Sequence, residues 1–287
     1  MHEIKIGGVN VAEVIFSNDN PFSLLCGPCA LETRDIAMTA AESIVKTCQK
    51  LNVGVVFKSS FDKANRTSIQ GDRGMGIEEG LKILSEIRNT FKVPIVTDIH
   101  EASQAATVAE VVDVLQIPAF LCRQTDLLVA AANTGKVVNV KKGQFLSPQE
   151  MANVATKLAE SGNENIMLTE RGSSFGYNNL VVDMRGLRTM AETGYPVIFD
   201  ATHSVQAPGG NGTSSGGKRE FVEPLSRAAA AVGVAGFFME AHPNPAIAIS
   251  DAANQVPLDK LEGILTSLKA IDEVVKENPY QDIRSVA

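Results

Sequence analysis

Val53-Gly54-Val55-Val56-Phe57-Lys58 is an apolar run of strand length that ends on a charge, and the pattern recurs along the chain. Upstream, Phe22–Leu25 leads into Gly27-Pro28-Cys29; downstream, Val93–Val96 leads into Asp98, and Val112–Ile117 into Pro118-Ala119-Phe120 and Arg123. Val137–Val140 leads into Lys141-Lys142, Ile166–Leu168 into Glu170-Arg171, Pro196–Phe199 into Asp200 and His203, and Val234–Met239 into Glu240 and His242. The stretches between these eight runs are long enough for helices. Strand-then-helix repetition builds a parallel sheet, and eight such units close into a (β/α)8 TIM barrel whose strand C-termini share one mouth. The reading therefore predicts that polar residues far apart in sequence converge on one pocket.

At 287 residues the chain has the size of one barrel domain, 1–287, since such barrels run to about 250 residues. Residues 1–20 stand apart: Glu3–Ile6 and Val9–Phe16 flank Gly7-Gly8 and read as an N-terminal β-hairpin, placed as a plug at the barrel bottom. Helices are expected over Thr33–Leu51, Ile77–Thr90, Ser103–Ala109, Asp126–Asn133, Pro148–Ser161, Val182–Glu192, Arg219–Val232 and Leu258–Glu277. Two long loops, Ser59–Met75 and Gln206–Lys218, fall on the same face and read as substrate-gating segments. A net charge of −7 without a basic stripe argues against nucleic acid. The apolar stretch Ala228–Met239 is too short to span a bilayer, and Met1–Asn10 lacks a secretory pattern. Four cysteines, at 26, 29, 48 and 122, have no disulfide-framework spacing, which points to a reduced, cytoplasmic setting.

Two constellations carry chemistry. Lys58, Lys63, Arg66, Lys141, Lys142 and Arg171 come from strand ends and one loop of an otherwise acidic chain. Arginine grips carboxylates and phosphates bidentately and lysine supplies a point charge, so these cations suggest an anionic substrate rather than scattered surface lysines. Cys29, His203, Glu240 and Asp251 offer one thiol, one imidazole and two carboxylates, a donor set for a divalent transition metal. The first, seventh and eighth strands are neighbours in a closed barrel, so a shared ion is geometrically reasonable, although Cys29 alone would also suit a small buried site. Asp98 could act as a base, hold a sugar hydroxyl or pair with a lysine. No Walker loop, GxSxG elbow or GxGxxG turn is present.

The segments Phe57-Lys58-Ser59-Ser60-Phe61-Asp62-Lys63-Ala64-Asn65-Arg66, Pro118-Ala119-Phe120-Leu121-Cys122-Arg123-Gln124-Thr125-Asp126 and Val140-Lys141-Lys142-Gly143-Gln144-Phe145 resemble the 3-deoxy-D-manno-octulosonate 8-phosphate synthase family. So do Glu170-Arg171-Gly172-Ser173-Ser174-Phe175-Gly176-Tyr177 and Asp200-Ala201-Thr202-His203-Ser204-Val205-Gln206. The resemblance runs from about residue 5 to 275. It implies a (β/α)8 barrel, usually a homotetramer, that condenses phosphoenolpyruvate with D-arabinose 5-phosphate for the lipopolysaccharide inner core. Carried over by position, Lys58, Lys63, Ala119, Lys141, Gln144 and Arg171 match family residues that hold phosphoenolpyruvate. Asn65 and Arg66 match those that hold the pentose phosphate, with Asp98 near its hydroxyls; Thr67 stands where the family has serine. Catalytic contributions fall to Lys58, Lys63, Asp98, Lys141 and His203. Cysteine after Gly27-Pro28, Gly143, and Ser250-Asp251-Ala252-Ala253-Asn254-Gln255 look like the family's metal-requiring branch, which sharpens the ligand set to Cys29, His203, Glu240 and Asp251. Iron, zinc, manganese or cobalt would each suit that mixed set. The alternatives are the related 3-deoxy-arabino-heptulosonate 7-phosphate synthases, which use erythrose 4-phosphate and typically show Lys-Pro-Arg-Thr where this chain has Lys63-Ala64-Asn65-Arg66, and a non-catalytic anion-binding barrel.

Overall fold

The computed structural model describes residues 2–210, 215–281 and 283. Eight parallel strands form its centre: β1 (Ser23–Gly27), β2 (Val55–Lys58), β3 (Ile95–Asp98), β4 (Val114–Ile117), β5 (Val137–Lys141), β6 (Ile166–Glu170), β7 (Val197–Asp200) and β8 (Gly236–His242). Each pairs with the next in sequence, and β8 pairs back onto β1 with Phe238 opposite Leu25, so the sheet closes as a (β/α)8 barrel. The helices are α1 (Arg34–Leu51), α2 (Gly76–Phe91), α3 (Ala105–Ala109), α4 (Thr125–Ala132), α5 (Met151–Glu160), α6 (Met184–Ala191), α7 (Val222–Val232) and α8 (Leu258–Glu277). Local chemistry sets their ends. Thr33 caps α1 by accepting from the Ile36 amide, and Ser147 with Glu150 forms a reciprocal capping box around Pro148. Among the described residues, no helix is long and apolar enough to cross a membrane.

Strand parity divides the core in two. Outward residues such as Leu24, Cys26, Phe57, Leu115, Val140 and Phe237 pack against the helices. Inward residues are apolar at the bottom, where Leu25, Val56, Val96, Val114, Val137, Met167, Ile198 and Phe238 make a second cluster. One step further along the strands the inward residues turn polar: Lys58, Asp98, Gln116, Asn139, Lys141, Thr169, Asp200 and Glu240, all buried. The barrel is thus a packed apolar plug below and a charged chamber above.

Hairpin strands Ile4–Ile6 and Val14–Phe16 close the bottom, burying Ile4, Ile6, Val14 and Phe16 in the inner cluster. Gly236 makes room for this: a Cβ there would sit 2.5 Å from Ser23 O and 2.7 Å from the Phe16 ring. The second hairpin strand is shorter than the expected Val9–Phe16. Gly7, Gly8 and Asn10 all have positive φ, and the Ala12 amide bonds to Lys92 O at the end of α2 instead of pairing across the hairpin. Val182 and Asp183 are also not helical, because Leu180–Val181 pairs with Ser173–Ser174 just before and Asp183 caps α6. Short 3-10 turns precede α3, α5 and α7, so those helices begin later than their apolar periodicity suggests.

Candidate active site

A cavity of about 730 Å³ opens at the strand C-termini. Lys58, Lys63, Asn65, Arg66, Thr67, Asp98, Ala119, Lys141, Gln144, Arg171, His203, Glu240 and Asp251 all line it, so every substrate or catalytic candidate named above meets there. Cys29 lies just behind the wall, fully buried, with its thiol donating to Asp251 Oδ2 at 3.3 Å. Gly27, two residues before it, lets the end of β1 run close against β2, since a Cβ on it would fall 1.9 Å from Lys58 O. Lys142 is the exception among the proposed cations. It has the opposite strand parity to Lys141, is buried outside the chamber, and donates to Gly143 O, Leu146 O and Ser173 Oγ with Glu170 3.5 Å away. Its charge braces the loop after β5 and does not reach the cavity.

On the β2–β3 side, Lys58 Nζ donates to Cys29 O at 3.1 Å, Ser60 Oγ at 3.2 Å and Glu240 Oε1 at 3.0 Å. Lys63 donates to the same Ser60 oxygen at 3.0 Å, and the Ser60 hydroxyl donates in turn to Asp98 Oδ1. His100 Nε2 sits 2.9 Å from Asp98 Oδ2. Burial alone would raise the Asp98 pKa, but the His100 hydrogen bond and the charges of Lys63 and Lys58 hold it well below the usual carboxylate range. Lys63 shows the mirror image: burial would lower it, while Cys29, Glu240, Asp98 and Asp251 push it up.

Across the barrel, Lys141 Nζ bonds Asp200 Oδ2 at 2.7 Å and lies 3.5 Å above the Phe238 ring, the aromatic floor of the chamber. Arg171 donates one Nη2–H to Gln206 Oε1 at 2.9 Å, while its Nη1 is buried with no partner among the described residues. Gln144 Oε1 is buried and likewise unpartnered. Arg66 turns to the loop after β8, donating to Ser250 Oγ at 2.8 Å and Ile249 O at 2.7 Å. A buried donor without a partner beside a polar cavity, as Arg171 Nη1 is, is what an incoming anion would satisfy, whereas the Gln144 oxygen can only accept.

The corner between β1, β7 and β8 holds a donor set. One ligand atom each from Cys29, Glu240 and Asp251 lies within 4.8 Å of the others. His203 Nε2 is 3.7 Å from Glu240 Oε1 and 3.8 Å from Asp251 Oδ2. A tetrahedral ion with bonds of about 2.0–2.3 Å spaces its ligand atoms about 3.4 Å apart, so a modest contraction of these side chains would bring them onto such an ion. Glu240 Oε2 is buried and has no partner among the described residues, while burial and the Lys58 charge pull oppositely on its proton and the net shift is downward. Asp200 accepts from His203 Nδ1 at 2.9 Å, which directs the other ring nitrogen toward Glu240 and Asp251. Asp251 occupies the left-handed region at φ 49°, and Gln206 Nε2 donates to its Oδ1 at 2.7 Å. The Cys29 thiol is pushed up by burial and by Glu240, against Lys63.

Ser60, Asp200 and Gln206 were absent from the sequence-derived site. Asp200 had a visible signal, as the charged end of the seventh run, but its bond to Lys141 spans 59 positions and follows from closure alone. The loop expected to gate the site, Gln206–Lys218, begins and ends as a small antiparallel pair, Gln206–Ala207 with Gly216–Gly217; residues 211–214 of it lie outside the described residues.

Residues 3–277 match the DAHP synthetase I family model. Proteins named 2-dehydro-3-deoxyphosphooctonate aldolase are similar over nearly the whole chain. The one from Brucella abortus (strain S19) is 59% identical over 268 residues, 93% of this chain and 97% of the relative. That of Bradyrhizobium diazoefficiens is 59% identical over 272 residues, covering 94% and 96%. Its counterpart in Syntrophotalea carbinolica is 57% identical over 270 residues, covering 94% and 98%. With the closed barrel and its cation-lined mouth, these matches place the chain: it belongs to the DAHP synthetase I family.

Proposed function

We propose that this chain is a transferase that condenses phosphoenolpyruvate, D-arabinose 5-phosphate and water to 3-deoxy-D-manno-octulosonate 8-phosphate and inorganic phosphate, for the lipopolysaccharide inner core. One observation carries the reading. Lys58, Lys63, Arg66, Lys141 and Arg171 face one cavity, at one corner of which the His203 imidazole and the Glu240 and Asp251 carboxylates meet with the Cys29 thiol just behind the wall. The names of the relatives support the octulosonate product, and Lys63-Ala64-Asn65-Arg66 favours the pentose over erythrose 4-phosphate.

Two polyanions must meet, so neutralisation and positioning dominate the catalysis. Lys63, Lys141 and Arg171, with Lys58, Ala119 and Gln144, hold phosphoenolpyruvate. Asn65, Arg66 and Thr67 take the pentose phosphate. Asp98, kept ionised, accepts from the sugar hydroxyls. The enol C3 attacks the aldehyde carbon, water adds at C2, and the C2–O bond breaks to release phosphate. Cys29, His203, Glu240 and Asp251 would hold a divalent iron, zinc, manganese or cobalt ion, which as a Lewis acid can polarise the aldehyde. The reading includes a cytoplasmic homotetramer.

The test is phosphate release from phosphoenolpyruvate with each aldose phosphate, with and without chelator, on protein of measured oligomeric mass. Turnover with arabinose 5-phosphate is the expected result. A clear preference for erythrose 4-phosphate, or no turnover with either after metal loading, defeats the proposal. Arg66→Ala supplies a second check. A phosphate must displace the neutral acceptors Ser250 and Ile249 from this guanidinium, and bonds to charged groups are worth about 1.5–3 kcal/mol. The apparent KM for the pentose phosphate should therefore rise about 10- to 100-fold. A rise confined to phosphoenolpyruvate would contradict the assignment.

A further inference from the structure

Within the polar layer, three neutral side chains form a line across β6, β5 and β4. The Thr169 hydroxyl donates to Asn139 Oδ1 at 2.7 Å, and Asn139 Nδ2 donates to Gln116 Oε1 at 3.3 Å. All three are buried, Thr169 and Asn139 completely. Polar groups at such depth cost stability unless each is paired. Thr169 and Asn139 are absent from the cavity wall, whereas Gln116 lines it. Gln116 Oε1 is consumed by Asn139, and its Nε2 has no acceptor among the described residues, yet it is not sealed off like the orphaned atoms elsewhere in the barrel. It therefore faces the cavity.

We propose that Thr169 and Asn139 are positioning residues that lock the Gln116 carboxamide with its NH2 toward the chamber, where it donates to an anionic oxygen of phosphoenolpyruvate. The chain of bonds is directional. A threonine hydroxyl donating to Asn139 Oδ1 leaves only Nδ2 to meet Gln116, which leaves only the Gln116 oxygen to receive it. The phosphoenolpyruvate side is favoured because β4 runs straight into Ala119 and β5 into Lys141, both on that substrate's wall. A neutral donor there adds a hydrogen bond without adding to the charge of Lys58, Lys63, Lys141 and Arg171. The inference rests on the function proposed above.

The test is calorimetric binding of phosphoenolpyruvate to the metal-loaded protein, with KM measured for each substrate. Gln116→Leu should weaken phosphoenolpyruvate about 10- to 100-fold, the worth of one bond to a charged group, with little change in the pentose phosphate KM. Gln116→Glu decides between roles. It keeps an acceptor for Asn139, so a purely structural glutamine predicts a milder effect than leucine; a donor to an anion predicts a more severe one. Thr169→Val frees the amides to turn over and should weaken phosphoenolpyruvate several-fold in the parent but not in the Gln116→Leu background. An equal effect of Thr169→Val in both backgrounds, or Gln116→Glu binding better than Gln116→Leu, overturns the inference. Thermal midpoints report any misfolding separately. A parent protein that fails to bind phosphoenolpyruvate would instead defeat the proposed function.

Discussion

Replacement of Cys29 by alanine is expected to remove bound divalent metal and most of the turnover, although the residue does not itself line the cavity. Its thiol lies 3.3 Å from Asp251 Oδ2 within a cluster that includes Glu240. These carboxylates are close to each other in one corner, and the ion pairs of Lys58 and Lys63 there are with Glu240. A cation bound by the sulfur would draw Asp251 and the orphaned Glu240 Oε2 together; without the sulfur, a soft anchor is lost and the carboxylates retain fewer partners. Affinity should drop by at least about 100-fold, the upper end of what losing even an outer-shell partner costs. Elemental analysis after dialysis reads the metal, and phosphate release reads the activity. Cys29→Asn puts a neutral hydrogen-bonding amide in place of the thiol and should retain partial, chelator-resistant turnover. Full turnover of Cys29→Ala in chelator would remove the ion from the catalytic account.

The barrel was legible because its strands announce themselves twice, as apolar runs and by the charged or reactive residue that ends nearly all of them. Parity carries further information: Lys141 and Lys142 are adjacent, so only one can face the chamber, and the inward series Val137, Asn139, Lys141 identifies which. The donor corner was legible only as a list of suitable atoms. Cys29 and Asp251 are 222 positions apart, and dispersed ligands leave no spacing signature. The Thr169–Asn139–Gln116 line was invisible, because three neutral residues in or beside apolar runs look like strand interior until the register pairs Gln116 with Asn139 and leaves Thr169, opposite Lys141, within diagonal reach of Asn139. The hairpin was over-extended for the converse reason. Val9 and Val11 alternate like a strand, yet Val9 is exposed and the chain between them is bent by the positive φ of Asn10.

Asp200→Asn should disable the site as thoroughly as loss of a ligand. Every neighbour of this buried carboxylate is a donor: Lys141 Nζ at 2.7 Å, His203 Nδ1 at 2.9 Å, the His203 amide at 2.9 Å and Thr202 Oγ1 at 3.3 Å. Burial would raise its pKa, but the His203 and Lys141 charges hold it well below the carboxylate range. Asparagine keeps the shape and loses the charge, and its NH2 must confront one of those donors. His203 can relieve the conflict by turning Nδ1 into an acceptor, which places the proton on Nε2 and removes the lone pair directed at Glu240 and Asp251. The same change takes the buried counter-charge from Lys141, whose pKa burial already lowers against the pull of Asp200, so the lysine becomes a weaker anchor for an anion. Metal affinity should fall about 10- to 100-fold through the tautomer, and turnover further, because phosphoenolpyruvate binding weakens as well. Breaking a buried pair also costs about 3–5 kcal/mol of stability, so titrations must be scaled to the folded fraction. Cobalt titration followed in the visible, paired with calorimetry of phosphoenolpyruvate, separates the two losses. Parent-like values in both would mean that His203 and Lys141 keep their orientation without Asp200, and that its negative charge serves only to fill the chamber's base.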